Sequence, residues 1–325
     1  MKTNAIVVSR TGGPEVLEFK ETTLADPKPG EVLIRQHAIG LNYIDIYLRT
    51  GVYPAPLPFT PGGEGAGIIE AVGAGINEFK VGDRVGYCAG PLGSYSEARL
   101  MPAASLIKLP NGITEEVAAA ALLKGLTAQY LIFSTYQVKP SDTILVHAAA
   151  GGVGLILCQW AKHLGATVIG TVGSEAKAKL AAAHGCAHVI DYSREDFVAR
   201  VKEITRGAGL PVVYDSVGQA TFMKSLDCLQ PRGLMVSYGQ ASGMVPPFSV
   251  NTLTPKGSLY LTRPSLQHYV LTREALLERT ASLFGAITSG VVKCEAARRF
   301  KLRDAAEAHR ALASRETTGS SVLIP

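Results

Sequence analysis

A run of small residues near the middle of the chain has the spacing of a dinucleotide-binding turn. Residues 149–154 read Ala-Ala-Gly-Gly-Val-Gly, which fits G-x-G-x-x-G with Ala149 in place of the first glycine. Gly151 would let the backbone approach a pyrophosphate, and Gly154 would let the following helix pack tightly on the strand. The first amide groups of that helix would face the phosphates. We expect the turn to bind a cofactor through Ala150, Gly151, Gly152, Val153 and Gly154.

The segments around this turn supply the context that the fingerprint requires. Residues 143–147 predict a buried strand, and apolar residues at steps of three and four from Val153 predict a helix. Strands and helices then alternate, which predicts a parallel, doubly wound sheet with ligand loops at the carboxyl ends of its strands. The other predicted strands are 167–171, 188–191, 212–215, 234–238 and 258–262, and the predicted helices include 174–184 and 194–205.

The chain of 325 residues is long enough for about two domains. We expect a strand-rich domain over residues 1–125, a nucleotide-binding domain over 126–262, and a return to the first domain over 263–325. The last part contains predicted helices over 273–288 and 304–314 and a strand over 321–324. Asp304 and Glu307 have the spacing of a capping box at the start of the second helix.

Composition and charge restrict the class of protein. Hydrophobic residues make up 47% of the chain, which allows a sizeable core, and the net charge of +5 suits an anionic small ligand without implying nucleic acid. The five cysteines are scattered, without a C-x-x-C pair, which argues against a disulfide framework. We expect no signal peptide and no apolar run of the ~18 residues that span a bilayer, and therefore a cytoplasmic protein outside the membrane.

The end of the second predicted strand favours NADPH over NADH. An NAD site places an acidic residue there to hold the ribose 2′-hydroxyl, but this chain has Gly173 and Ser174. Lys177 follows one helical turn later and suits a 2′-phosphate, and Tyr192 could close the same pocket. Glu175 is the counter-argument, although an acid at the start of a helix also complements the helix dipole.

The whole chain resembles the medium-chain dehydrogenase/reductase superfamily, and within it the zinc-free NADPH:quinone oxidoreductases related to zeta-crystallin, bacterial members especially. The most specific stretch is residues 141–162. The supporting motifs are Gly62-x-Glu64-x-x-Gly67, Gly-Asp-Arg-Val at 82–85, Lys-Gly-Leu-Thr-Ala at 124–128 and Tyr-Asp-Ser-Val-Gly at 214–218. The resemblance implies an α/β protein with a GroES-like catalytic domain and a Rossmann domain. It also implies a homodimer, which we place at the strand near 258–262.

The zinc ligands of related dehydrogenases have no counterpart here. The relatives' cysteine and histidine positions correspond to Asn42 and Gly63, and Cys88 is the only cysteine before Gly154. Catalytic zinc needs about three protein ligands, which Glu64 alone cannot supply. We therefore expect a metal-free enzyme.

Without a metal, neutral donors would stabilise the negative charge that develops on a quinone oxygen. The candidate catalytic residues are Asn42, Tyr47 and Tyr53, all expected to face the cleft. Either tyrosine could donate the proton, water could donate it instead, or both tyrosines could serve only as hydrophobic walls.

Strand-end positions and the resemblance together imply a wider cofactor site. Its expected members are Tyr43, Asp45, Thr127, Tyr130, Val217, Tyr238, Gly239, Gln240, Arg263, Pro264, Ser265 and Arg315. Arg315 resembles the arginine that members of this group place near the cofactor phosphates, although it could instead be a cation at a helix C-terminus. His147 and Cys158 we expect to be structural.

Three functions remain open at this point. The first is NADPH-dependent reduction of quinones, and the second is reduction of α,β-unsaturated ketones or aldehydes, which uses the same hydride geometry. The third is an NADPH-sensitive RNA-binding protein, which would need a basic face with stacking aromatic groups. Aromatic residues make up only 7% of the chain and show no such interleaving, so nucleic acid is the least favoured partner.

Overall fold

The computed structural model describes residues 1–315 and 317–325. They divide into two compact units. The first unit comprises Met1–Lys124, Thr272–Phe284 and Cys294–Pro325, and the second comprises Gly125–Leu271 and Gly285–Lys293.

Strands and helices alternate irregularly in the first third of the chain and regularly thereafter. In chain order they are β1 (Lys2–Val7), β2 (Glu18–Thr23), β3 (Glu31–Leu41), α1 (Tyr43–Thr50), β4 (Gly65–Val72), β5 (Arg84–Tyr87), β6 (Ala98–Pro102), β7 (Ile107–Lys108), α2 (Glu115–Tyr130), β8 (Thr143–Val146), α3 (Gly152–His163), β9 (Thr167–Val172), α4 (Glu175–Ala183), β10 (Cys186–Asp191), α5 (Phe197–Ile204), β11 (Leu210–Asp215), α6 (Phe222–Ser225), β12 (Leu229–Ser237), β13 (Tyr260–Thr262), α7 (Arg273–Thr288), β14 (Ala296–Lys301), α8 (Ala305–Ala313) and β15 (Ser320–Ile324).

The first unit is built on a mainly antiparallel sheet around the long strand β3. Among the described residues the strand order is β14-β15-β3-β4-β5-β7, and β6 also pairs with β3. Val32, Ile34 and Ile39 of β3 are fully buried, as expected for a strand in the middle of a sheet. The C-terminal strand β15 pairs with β3, so the end of the chain completes the sheet that its beginning forms.

The second unit is built on a parallel sheet. Its strand order in the described residues is β10-β9-β8-β11-β12-β13, which is the order of a doubly wound dinucleotide-binding fold. The chain reverses its direction of winding between β8 and β11, and ligands bind at the carboxyl ends of strands beside such a switch point. The predicted doubly wound sheet is therefore confirmed.

Two local predictions were wrong. Asp304 precedes α8 but its side chain makes no cap hydrogen bond, because a 3₁₀ turn over Leu302–Asp304 leads directly into the helix. Helix α2, which was not predicted, continues to Thr135 and is long and apolar enough to cross a membrane by length and composition. Most of this helix is buried inside the protein, as the core helix of a soluble protein would be. An apolar stretch of that length was not expected.

The five cysteines are buried and free of disulfide bonds. The hydrogen bond with the Cys186 thiol, and then burial, raise the pKa of Cys158, whose Sγ lies 3.5 Å from that of Cys186. Burial also raises the pKa of Cys228 to about 12 and that of Cys294 to about 11. These residues pack as small apolar side chains, as we expected for Cys158.

Candidate nucleotide site and active site

The glycine turn of the second unit has the conformation that a phosphate-binding helix start requires. Gly151 is the N-cap of α3, and its carbonyl accepts a hydrogen bond from the amide of Leu155 at 2.9 Å. A Cβ on Gly154 would lie 2.8 Å from Cα of Ala149, so close packing excludes a side chain there. A Cβ on Gly151 would come within 4 Å only of the Ala148 carbonyl oxygen, at 3.1 Å, so the space beside Gly151 is open.

Ala149 fits in place of the first fingerprint glycine because the neighbouring strand provides room. A Cβ on Gly170 of β9 would lie 2.7 Å from the methyl group of Ala149, so the absence of a side chain at Gly170 makes space for that methyl. Ala150 is buried, while Gly152 and Val153 are half-buried at the start of α3.

The residues predicted to recognise a 2′-phosphate lie together at the ends of β9 and β10. Ser174 is the N-cap of α4, and its Oγ accepts a hydrogen bond from the amide of Lys177 at 3.4 Å. A Cβ on Gly173 would lie 2.6 Å from the hydroxyl of Tyr192, so this ring covers the glycine. Glu175, the counter-argument for NADH, instead pairs with Lys179 at 3.0 Å on the exposed face of α4.

A second group of predicted residues follows β11, β12 and β13. One carboxylate oxygen of Asp215 accepts from the amides of Val217 at 2.7 Å and Gly218 at 3.0 Å, which fixes the loop after β11. The Arg263 guanidinium donates to the carbonyl of Gly239 at 2.9 Å and to Oε1 of Gln240 at 3.1 Å. Tyr238 precedes Gly239 in the sequence and is half-buried. Pro264 and Ser265 follow Arg263, and of these two Pro264 is half-buried and Ser265 is exposed.

His147 is structural, as predicted. Its Nδ1 lies 2.8 Å from Oγ1 of Thr171 and its Nε2 lies 2.9 Å from Oγ of Ser225. Burial lowers the pKa of His147, so the imidazole is neutral. Ser225 also donates to Asp215 at 3.3 Å, and the imidazole therefore ties the end of β8 to the loop that Asp215 fixes.

Thr127 and Tyr130 lie on the part of α2 that belongs to the second unit. Thr127 is half-buried, and Tyr130 is buried against Tyr269 with the ring centroids 4.2 Å apart and nearly parallel. The Tyr269 hydroxyl lies 2.9 Å from that of Thr135, which holds the stacked pair in place.

The candidate catalytic residues of the first unit lie at and after the start of α1. Asn42 is the N-cap of this helix and is 7% exposed, and its Nδ2 donates to Oε2 of Glu64 at 2.8 Å. Tyr47 and Tyr53 meet edge to face with centroids 5.3 Å apart, and Tyr43 lies 6.1 Å from Tyr47. The three tyrosines therefore form one aromatic cluster, in which the hydroxyl of Tyr43 donates to the carbonyl of Leu312 at 3.0 Å.

Asp45 corrects an expectation of the sequence analysis, which placed it against the cofactor. Its side chain is completely buried, and Oδ2 accepts from the backbone amide of Asn42 at 2.9 Å and from the hydroxyl of Tyr95 at 3.0 Å. Burial raises the pKa of Asp45 to about 7. The carboxyl group thus fixes the start of α1 from inside the unit.

Arg315, expected near the phosphates, belongs to the first unit. It is exposed at the end of α8, with a positive φ of 62° and its amide 3.2 Å from the carbonyl of Leu312. Tyr95 and His309 were not predicted as site residues from the sequence, and Lys124 was predicted only as part of a family motif. No local signal marks the first two, because their partners lie 50 and 214 residues away.

Two family models match the chain: alcohol dehydrogenase GroES-like domain over residues 28–111 and zinc-binding dehydrogenase over residues 152–282. The quinone oxidoreductase of Pseudomonas aeruginosa is 55% identical over 97% of both chains, and quinone oxidoreductase 1 of Escherichia coli is 53% identical over 97% of both chains. The chain belongs to the medium-chain dehydrogenase/reductase superfamily. The predicted family and the predicted combination of a GroES-like and a Rossmann domain are thereby confirmed.

Two further comparisons concern ligands and substrates of relatives in this superfamily. A crystal structure described as Escherichia coli quinone oxidoreductase complexed with NADPH superposes with a TM-score of 0.98, at 52% identity and with 99% of this chain and 100% of that chain covered. A 2-haloacrylate reductase from a Burkholderia species is 48% identical over 99% of this chain and 98% of its own.

The residues of this family member do not fit the zinc that one family description names. In the described ranges, 1–315 and 317–325, no three His, Cys, Asp or Glu side chains are grouped so that they could hold a metal ion. Glu64 is instead surrounded by nitrogen atoms of Asn42, Leu123 and Lys124. A metal would have to displace these hydrogen-bond donors.

Proposed function

We propose that this protein is an NADPH-dependent quinone oxidoreductase. The assembled turn, with open space beside Gly151 and with Ser174, Lys177 and Tyr192 together at the ends of β9 and β10, carries the proposal. The close similarity to quinone oxidoreductases of two bacteria supports the same reaction. When bound, NADPH supplies the hydride that reduces the quinone.

The second unit binds and orients the cofactor in this proposal. The amides at the start of α3 bind the pyrophosphate, and Lys177 with Ser174 binds the 2′-phosphate. The loops after β11, β12 and β13 hold the nicotinamide end. The residues proposed to contact the cofactor beyond the glycine turn are Thr127, Tyr130, Val217, Tyr238, Gly239, Gln240, Arg263, Pro264, Ser265 and Tyr43. Arg315 is proposed to lie near the cofactor phosphates.

The first unit contributes the acceptor site without a metal. The Asn42 amide donates to the quinone oxygen on which negative charge develops, because a preorganised donor stabilises that charge. Tyr47 and Tyr53 flank the quinone ring, and one of their hydroxyls or a water molecule returns the proton. In this assignment the first unit is the catalytic domain and the second unit is the nucleotide-binding domain. These units replace the expected ranges 1–125 with 263–325 and 126–262, because Arg263, Pro264 and Ser265 lie in the second unit.

A second candidate is the reduction of activated double bonds. The 48% identity to a 2-haloacrylate reductase favours it, since a haloacrylate is an α,β-unsaturated acid. The deciding experiment is a panel of quinones, enones and 2-haloacrylates assayed with NADPH and with NADH. Fastest turnover of quinones with NADPH is expected, and fastest turnover of the double-bond substrates would favour the second candidate.

We also propose a cytoplasmic homodimer. Strand β13 lies at the edge of the parallel sheet in the described residues, and Tyr260 on it is 60% exposed. An exposed edge strand with large apolar side chains is suited to pairing with a second copy of the same strand.

The RNA-binding alternative would be supported instead by an affinity for RNA that falls steeply with salt concentration, together with displacement of the RNA by NADPH.

A further inference from the structure

A buried carboxylate lies directly behind the Asn42 side chain. Glu64 is completely buried, and its Oε2 accepts from Nδ2 of Asn42 at 2.8 Å while its Oε1 accepts from the amide of Leu123 at 2.6 Å. A Cβ on Gly40 would collide with this carboxylate and would lie 2.6 Å from the carbonyl of Ala119. The glycine on β3 therefore creates the space in which Glu64 lies.

A buried cation completes the arrangement. Nζ of Lys124 lies 3.4 Å from Oε2 of Glu64, and the lysine is 7% exposed. Lys124 is the only charged residue between positions 117 and 135, a stretch that is otherwise apolar or neutral. Replacing a buried ion pair by apolar residues of similar volume is often neutral or stabilising, so fold stability alone does not account for this pair.

The contact with Glu64 leaves one hydrogen of the Asn42 amide available for a ligand. Of its two amide hydrogens, one is donated to Glu64, and the second has no partner among the residues that the structure describes. Glu64 thus fixes the rotation of the amide. The Lys124 ammonium offsets the negative charge of Glu64, which would otherwise oppose a second negative charge close by.

We propose that Glu64 and Lys124 are positioning residues that act through Asn42 on the acceptor. Glu64 holds the amide so that its second hydrogen meets the acceptor oxygen, and Lys124 prevents the carboxylate from repelling the charge that the hydride brings. When bound, NADPH would supply the hydride, which would form the new bond at the acceptor and leave NADP⁺. The acceptor oxygen that carries the resulting negative charge would take its proton from a tyrosine hydroxyl or from water. This inference rests on the proposed function, since it assigns the acceptor to Asn42.

The arrangement predicts a dependence on the acceptor that a structural ion pair would not show. Strongly oxidising quinones need little help from a donor, whereas weakly oxidising quinones and enones need more. Removing one preorganised donor typically costs about 10²- to 10³-fold in turnover. For Lys124→Met we therefore expect kcat/KM to fall about 10- to 100-fold for the weakest acceptor and less than about threefold for the strongest.

The test measures kcat/KM for quinones of graded reduction potential, together with NADPH affinity by fluorescence and Tm. Glu64→Gln should show the same graded loss of kcat/KM. Lys124→Arg keeps the positive charge and should retain most of the activity of the unmodified protein. The double variant Lys124→Met with Glu64→Gln has neither buried charge but also lacks the carboxylate that holds Asn42, so its graded loss should match that of Glu64→Gln. Arg84→Met, which breaks the Arg84–Glu115 ion pair of the same unit, is the matched control.

The outcomes separate this inference from the proposed function. An equal loss for all acceptors, or no loss in Lys124→Met and Glu64→Gln, would overturn the positioning role. If Lys124→Met does not fold, the dependence of kcat/KM on the acceptor in Glu64→Gln and in the double variant tests the positioning role in the same way. Absence of quinone turnover in the unmodified protein that still binds NADPH would instead refute the proposed function.

Discussion

Tyr95 donates its hydroxyl hydrogen to the fully buried carboxylate of Asp45 over 3.0 Å. The same hydroxyl lies 3.0 Å from Nε2 of His309, whose Nδ1 lies 3.2 Å from Nη1 of Arg49. A guanidinium can only donate, so Nδ1 of His309 accepts, Nε2 carries the hydrogen, and Tyr95 receives it. With Asp45 ionised, the hydrogen bonds run in one direction, from Arg49 through His309 and Tyr95 to the carboxylate.

The first prediction concerns stability in acid. Burial lowers the pKa of His309 to about 3, whereas an unfolded histidine titrates near 6.5. Between these pH values only the unfolded chain takes up the proton. The free energy of unfolding therefore decreases as the pH is lowered, by up to ~1.4 kcal/mol per pH unit from this group. We expect His309→Gln to reduce that slope in urea titrations between pH 4 and 7. The surface variant His37→Gln is the control, and an unchanged slope in His309→Gln would contradict the assignment.

The second prediction concerns cofactor choice. Lys177→Ala should raise the KM for NADPH about 10- to 100-fold, because hydrogen bonds to charged groups are worth roughly 1.5–3 kcal/mol. The KM for NADH should change little. Lys179→Ala is the matched control, since Lys179 lies on the same helix but pairs with Glu175 on its exposed face. Equal effects of Lys177→Ala on both cofactors would remove the 2′-phosphate assignment.

The third prediction separates two glycines of one turn. Gly151→Val places a branched side chain beside the turn, so it should abolish NADPH binding. Its Tm should fall less than that of Gly154→Ala, because its Cβ would lie 3.1 Å from the Ala148 carbonyl oxygen whereas a Cβ on Gly154 would collide with the same oxygen. Gly154→Ala forces a Cβ against the backbone of Ala149, so it should lower Tm. Cofactor titration and thermal unfolding of both variants make the check, and tight NADPH binding by Gly151→Val would exclude the turn as the pyrophosphate site.

The fourth prediction concerns the edge strand. Tyr260→Glu would place like charges opposite each other if two copies pair along β13, and we expect the dimer dissociation constant to rise about tenfold or more. Light scattering over a concentration series measures this change. Val81→Glu, at a residue 61% exposed in the first unit, is the control. A monomer at all concentrations in the unmodified protein would refute the dimer.

The sequence predicts those parts of the fold and site that are encoded locally. The alternation of strands and helices from residue 143 onward is visible because each segment carries its own period and glycine turns separate the segments. Helix α2 escaped prediction because it is apolar on nearly all sides, so no amphipathic period marks it. The buried hydrogen bonds that end at Asp45 could not be predicted for a different reason. His309 and Arg49 are 260 residues apart in the sequence, and only the folded chain brings them together.

The burial of all five cysteines bears on the proposed reduction of quinones. Quinones are electrophiles, and thiolates are the nucleophiles that add to them. The sulfur atoms are withdrawn from solvent, and burial raises the pKa of Cys228 and Cys294 above the usual range, so the protein presents no ready thiolate to a quinone. Such a surface resists covalent inactivation during turnover.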